Sequence, residues 1–213
     1  MLEIKPSCPE VLYSDDDILV VSKPANLLSV PGKGPDKQDC LWKRAQRSHP
    51  TARIVHRLDY ATSGLMVLAL TAESHRALSI QFQERQTDKR YQAIVHGAPD
   101  QEKGEINLPL RCDWENRPLQ IVDHVQGKNA LTRWHRLETN DLGTRVLLYP
   151  VTGRSHQLRV HLQAIGHPIL GDAFYAPESV QNLSTRLLLH AEYLSLNHPA
   201  TGQRMAFSSL CPF

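Results

Sequence analysis

Long apolar runs, paired cysteines and a strong net charge are all missing from this sequence, and each absence removes a class of protein. The longest apolar stretches, Leu65 to Leu70 and Leu187 to Leu189, fall far short of the roughly 20 residues that span a bilayer, so no membrane helix is expected. Met1 to Pro6 lacks the basic start, apolar centre and small-residue cleavage site of a secretory signal, which points to the cytoplasm. The four cysteines, Cys8, Cys40, Cys112 and Cys211, are far apart and form no C-x-x-C pair. Neither a disulfide framework nor a zinc ribbon is indicated, and all four read as reduced structural thiols. Eleven histidines are present, His156 and His161 among them, but no H-E-x-x-H or comparable spacing occurs. No bound metal is expected. A formal net charge of +2 does not by itself require a nucleic-acid partner.

What is present is enough chain for a core. With 213 residues, 41% of them hydrophobic, one domain is the default, with two lobes allowed. Charge is unevenly distributed. Between Asp39 and Asp59 there is no acidic residue, yet Lys43, Arg44, Arg47, Arg53 and Arg57 fall there. Between Asp141 and Asp172 acids are again absent, while Arg145, Arg154 and Arg159 occur with His156, His161 and His167. Brought together, these stretches make a surface able to displace counterions from a phosphate backbone; kept apart, they are ordinary solvated basic faces. Charge alone does not choose.

Local patterns predict many strands and few helices. Ile18 to Lys23 reads as a strand stopped by Pro24, followed by loop residues to Pro35 and a first helix over Leu41 to Arg47. Ile54 to Asp59 reads as a strand end entering the turn Tyr60 to Gly64, then a buried strand over Leu65 to Leu70. Thr71 is a candidate N-cap for a helix through Gln86, with Ala77, Leu78 and Phe82 forming its inward stripe. Arg90 to His96, Gly104 to Leu110, Leu131 to Leu137, Arg145 to Tyr149, Leu187 to Leu196 and Met205 to Phe207 follow as strands. A helix capped by Ser155 and stopped after Ile165 by Gly166 and Pro168 lies between them. The sum is an α+β domain around a mostly antiparallel sheet.

The chemistry concentrates in His56-Arg57-Leu58-Asp59, followed by Thr62-Ser63-Gly64. A carboxylate between a strand and a tight turn sits on rigid backbone, and Arg57 can reach the same rim. With a cation to keep it ionised, such an Asp serves as nucleophile or base. A turn-forming Asp paired with a surface Arg explains the same residues, and chemistry alone favours that plainer account.

The segment resembles the H-R-L-D-x-x-T-S-G signature of the RluA-type pseudouridine synthases. Lys89-Arg90-Tyr91 is similar to that family's K-x-Y motif, and Thr152 to His161 is similar to its T-G-R-x-H-Q-L-R-x-H motif. His167 to Asp172 and Leu187 to Ala191 resemble two further stretches, in the same order. The resemblance implies the pseudouridine synthase fold: a mostly antiparallel mixed central sheet flanked by helices and loops, with an active-site cleft across it. It implies conversion of uridine to pseudouridine in RNA, a reaction that breaks the N1 glycosidic bond, turns the uracil and joins C5 to the sugar, without cofactor or metal.

Carried over by position, the resemblance makes Asp59 the catalytic carboxylate, Arg159 its salt-bridge partner and Tyr91 the aromatic against the uracil ring. Whether Asp59 would attack C1′, attack C6 or remove the C2′ proton stays open. Arg57 is expected to fill the space left by the flipped base. His56, Thr62, Lys89, Arg154 and His156 are expected in RNA binding, the last two at a helix start suited to phosphate. Val11 to Pro24 resembles the first strand of the catalytic domain, so one catalytic domain without an N-terminal S4 domain is expected, by default a monomer. Leu27 to Gly32 and Cys112 to Pro118 resemble the dual-specificity branch, which implies two substrates, a tRNA anticodon stem-loop and a hairpin of 23S rRNA. A tRNA-only or rRNA-only enzyme is the nearest rival. An RNA-binding module without chemistry should have lost Asp59, Tyr91 or Arg159, and a glycosylase would release free uracil.

Overall fold

The computed structural model describes residues 8–213; the stretch from Met1 to Pro6, read above as lacking a signal, lies outside them. The chain divides into two compact units. One runs to Asp88 and resumes over Tyr193–Leu210; the other comprises Lys89–Glu192 and Cys211–Phe213. Both are open-sheet α+β structures, as the density of strand patterns predicts. Among the described residues, no helix is long and apolar enough to cross a membrane.

The first unit contains β1 (Glu10–Ser14), β2 (Ile18–Lys23), α1 (Leu41–Ala45), β3 (Arg53–Ile54), β4 (Ser63–Ala69) and α2 (Ala72–Gln83). β2 pairs antiparallel with β1 and β4, and β3 also pairs with β4. Ile18 to Val21 and every residue of β4 are buried, which is why both read as continuous apolar runs rather than alternating ones. Ile18, Val20, Leu65, Val67 and Ala69 form one core face with Leu78 of α2 and with Leu194 and Leu196. Thr71 caps α2 as predicted, its Oγ1 accepting the Ser74 N–H at 3.0 Å. The helix stops at Gln83 rather than Gln86, and Arg85 takes a left-handed φ of 60°. Gln81 exchanges both amide hydrogen bonds with the backbone of Asn197, at 2.7 and 2.8 Å. The predicted strand from Ile54 to Asp59 shrinks to β3, and Val55 onward is loop.

In the second unit β5 (Asp88–Val95), β6 (Lys103–Asn107), β9 (Leu131–Thr139) and β10 (Thr144–Pro150) pair antiparallel in the order β5-β10-β9-β6. β7 (Leu110–Cys112) and β8 (Gln120–Val122) form a separate hairpin. The single strand predicted from Gly104 to Leu110 is therefore two, divided at Pro109, which has no N–H for a ladder. Next come α3 (Gln157–Ala164) and the short α4 (Glu178–Gln181). β11 (Leu189–Asn197) runs from the second unit into the first, where its later half pairs with β12 (Arg204–Ser208). Gly166 ends α3 as predicted, with φ 86° and the His167 N–H bonded to Leu162 O at 2.9 Å.

Candidate active site

In the first unit Asp59 sits half-buried on a turn whose backbone is held on both sides. Before it, the Ser29 hydroxyl donates to Leu58 O at 2.7 Å and accepts the Leu58 N–H at 3.1 Å. After it, Tyr60 O accepts from the Leu27 N–H and from Lys23 Nζ, each at 3.2 Å. Lys23 is fully buried, and its ammonium also donates to Pro24 O at 2.9 Å and Leu27 O at 2.8 Å. Three carbonyl partners use its three protons, which is how a buried charge is tolerated. Asp59 O accepts the Thr62 N–H at 3.2 Å and closes the turn. Gly64 follows with φ 115°, a backbone that side chains disfavour, opposite Lys23 in the ladder.

The neighbouring site residues differ in exposure. Arg57 is exposed. His56 is engaged in the fold: its ring stacks on Phe82 with centroids 4.5 Å apart, and Nε2 accepts the Val67 N–H at 3.1 Å. Thr62 is buried, and its hydroxyl has no hydrogen-bond partner among the described residues.

In the second unit Lys89 and Tyr91 lie on β5, with Tyr91 opposite Leu148 of β10. Alternation along the strand puts them on one face and Arg90 and Gln92 on the other. The latter two both donate to the carboxylate of Glu192, which fixes the facing of this strand. Arg159, on α3, is buried and bidentate to Asp172: Nε to Oδ2 at 2.8 Å and Nη2 to Oδ1 at 2.6 Å. Its guanidinium carbon lies 5.1 Å from the ring centroids of both Phe174 and Tyr175. Asp172 Oδ1 also accepts the N–H groups of Phe174 and Tyr175, at 2.9 and 3.2 Å. Gly171 makes this turn possible, because a Cβ at that position would stand 1.9 Å from Arg186 O.

Arg154 and His156 stand at the start of α3, where the structure corrects the sequence reading. The N-cap is His156, in a left-handed conformation with φ 52° and no side-chain cap bond, not Ser155. Gln157 has taken over the local bonding. Its Oε1 accepts from Thr152 Oγ1 at 2.7 Å and from the Arg154 N–H at 3.0 Å, and its Nε2 donates to Leu131 O and Thr132 Oγ1, each at 3.0 Å. His156 Nδ1 lies 2.6 Å from the Tyr175 hydroxyl, which accepts the Gln120 N–H at 2.9 Å. Arg154 is exposed, with Nε bonded to Asn129 O at 3.1 Å.

His161 is a structural residue. Its Nδ1 lies 2.9 Å from Thr132 Oγ1 and its Nε2 3.0 Å from Leu108 O. Burial pushes the imidazole below its ordinary pKa and keeps it neutral. Asp15, Asp17 and His198 bring their donor atoms within 4.8 Å of one another. However, His198 Nδ1 accepts the N–H groups of Ala200 and Thr201, so its proton is on Nε2 and goes to Asp15 Oδ2 at 2.9 Å. The cluster is a hydrogen-bonded clamp.

Sequence reasoning thus placed the Asp59 turn and the α3 start but gave no role to Lys23, Ser29, Gln157 or Tyr175, and quoted Asp172 only as part of a motif. The comparisons bear on what such residues serve. A family model described as RNA pseudouridylate synthase matches residues 17–164. The chain is 51% identical over 204 residues to the dual-specificity RNA pseudouridine synthase RluA of Escherichia coli K12, covering 95% of this chain and 93% of the relative. It is 49% identical over 207 residues to the protein of the same name from Haemophilus influenzae, covering 96% and 94%. Among solved structures, human RNA pseudouridylate synthase domain containing 1 superposes with a TM-score of 0.82 at 31% identity, over 100% of this chain and 87% of the other. Human RNA pseudouridylate synthase domain containing 4 gives 0.75 at 26%, over 95% and 88%.

Proposed function

The chain belongs to the RNA pseudouridylate synthase family and is an RNA uridine isomerase, and from that premise we propose that Asp59 is the carboxylate that performs the isomerisation, with Arg159 as its counter-ion and Tyr91 against the uracil. The observation that carries the assignment is the turn around Asp59, pinned at Leu58 and at Tyr60 by Ser29, Leu27 and Lys23. A catalytic group must be held to a fraction of an ångström, and backbone bonds on either side of one residue do this.

The reaction is balanced within the substrate. The N1–C1′ bond breaks, C5 bonds to C1′, the proton on C5 leaves and N1 gains one. Attack at C1′, attack at C6 and removal of the C2′ proton all require an ionised carboxylate, which a nearby arginine stabilises in a water-poor site. Arg159 suits that task because Asp172 fixes one edge of its planar fork, a constraint lysine would not accept. Tyr91 supplies a flat face for the ring and a hydroxyl near the departing C5 proton.

Arg57, being exposed beside Asp59, is assigned to the gap left by the extruded base, with Lys89, Arg154 and His156 on the RNA backbone and His56 and Thr62 shaping the turn. The targets we assign are a tRNA anticodon stem-loop and a hairpin of 23S rRNA, met in the cytoplasm by a monomeric protein acting as one catalytic domain. Near-half identity to relatives named dual-specificity supports two targets.

The test uses both RNAs labelled with tritium at uracil C5. Release from each is expected, and Asp59→Ala or Asp59→Asn should lower it at least a thousandfold while RNA affinity stays within about threefold, since phosphate contacts are spread over other residues. Substantial turnover by Asp59→Ala would overturn the catalytic assignment. Release from one RNA alone would reduce the target set to that RNA.

A further inference from the structure

The β7–β8 hairpin takes no part in the chemistry above, yet its tip displays Trp114 at 64% exposure. An indole is a large apolar group to leave in water, and one held in place presents a rigid flat face to a ligand. This one is held. The Arg117 guanidinium carbon lies 4.6 Å from its ring centroid, and Arg117 Nε donates to Trp114 O at 3.2 Å.

The loop that carries it is closed from within. Asp113 N–H donates to Leu119 O at 2.9 Å, Leu119 N–H to Asn116 O at 3.0 Å, and Asn116 Nδ2 to Asp113 Oδ2 at 2.9 Å. At the base, Arg111 and the N–H groups of Gln126 and Val125 hold the Asp123 carboxyl down at about 2, so the clasp stays charged at neutral pH. The hairpin is also tied to the α3 region, because the Gln120 N–H on β8 bonds the Tyr175 hydroxyl that meets His156.

We propose that Trp114 is a stacking platform for an unpaired base of the substrate RNA, with Arg117 covering one face of the indole and the base lying on the other. Every base has a flat face, so such a platform accepts loops without reading their sequence, and cations stacked on the ring strengthen it. The surrounding charges favour a base over a phosphate at this spot. Glu115, next to Trp114 in sequence, is exposed and repels phosphate, while Asp113 and Asp123 are committed inside the hairpin. The proposal rests on the activity toward RNA and is independent of which carboxylate performs it.

Tryptophan fluorescence of the whole chain tests it. The sequence has three tryptophans; Trp134 is 7% exposed and Trp42 is half-buried with Nε1 donating to Ala52 O at 2.7 Å, so Trp114 is the most open of the three. The probe is a stem-loop transcript that the wild-type protein converts, beside the same stem closed as a perfect duplex. Saturable quenching by the stem-loop, weak quenching by the duplex and loss of the signal in Trp114→Phe are expected. Trp114→Ala should raise KM for the stem-loop about tenfold, with Trp114→Phe recovering most of it. A quench that persists in Trp114→Phe, or a KM within twofold of wild type in Trp114→Ala, overturns the proposal while leaving the activity intact. Emission that shifts with protein concentration alone would show a second copy covering the ring, and overturns it too.

Discussion

The two units hold their site residues by opposite means. Around Asp59 the partners act on main-chain atoms: a serine hydroxyl, an N–H and a buried ammonium grip Leu58 and Tyr60. Around Arg159 the partner acts on the side chain itself, through a bidentate carboxylate with two aromatic rings beside the guanidinium. Backbone bonds of the first kind fix where a group is mounted. An ion pair of the second kind fixes the head and its charge, and it fails abruptly when one partner is removed.

The largest expected difference comes from Asp172→Asn. It removes the charge that holds one edge of a buried guanidinium, so we expect a loss of about 3–5 kcal/mol in urea unfolding and a drop in kcat of at least a hundredfold. Near-normal kcat with normal stability would show that Arg159 needs no side-chain anchor. Lys23→Met should cost less, about 2–3 kcal/mol, because Tyr60 O keeps the Leu27 N–H while the other carbonyls lose a donor. Its kcat should fall about tenfold, and an unaltered kcat at equal stability would mean that the turn holds Asp59 without the ammonium.

The smallest effect is a pH slope in the second unit. The folded pKa of His161 lies below its ordinary 6.5, so below that value the unfolded chain binds the proton more readily. The contribution is therefore complete above about pH 6.5 and is lost as pH falls through the lowered folded value. Unfolding curves of wild type minus His161→Gln should slope downward with acidification across that window. A flat difference would mean that the buried ring titrates like a free one.

Much of this contrast was hidden in the sequence for physical reasons. The Asp59 and α3 motifs are contiguous, so resemblance located them. Lys23 and Ser29 act on residues 37 and 29 positions away, and the loop chemistry from Pro24 to Pro35 conceals a serine that works at long range. Gln157 lies inside the predicted helix and its contiguous motif, and neither reveals that its amide, and not Ser155, does the local bonding through Thr152 and Arg154. Pro109 is the legible sign of the division between β6 and β7, since a proline has no N–H for a ladder. Long apolar strands such as β2 and β4 were easy, because burial on both faces leaves an uninterrupted run of aliphatic residues.

The burial of Arg159 against Asp172 has a spectroscopic consequence. Its Nε proton is bonded at 2.8 Å and shielded from bulk water, so it should exchange with solvent slowly enough to give a resolved resonance in a nitrogen-15-labelled sample. That single line would report the geometry of the guanidinium directly, during an RNA titration and without waiting for product.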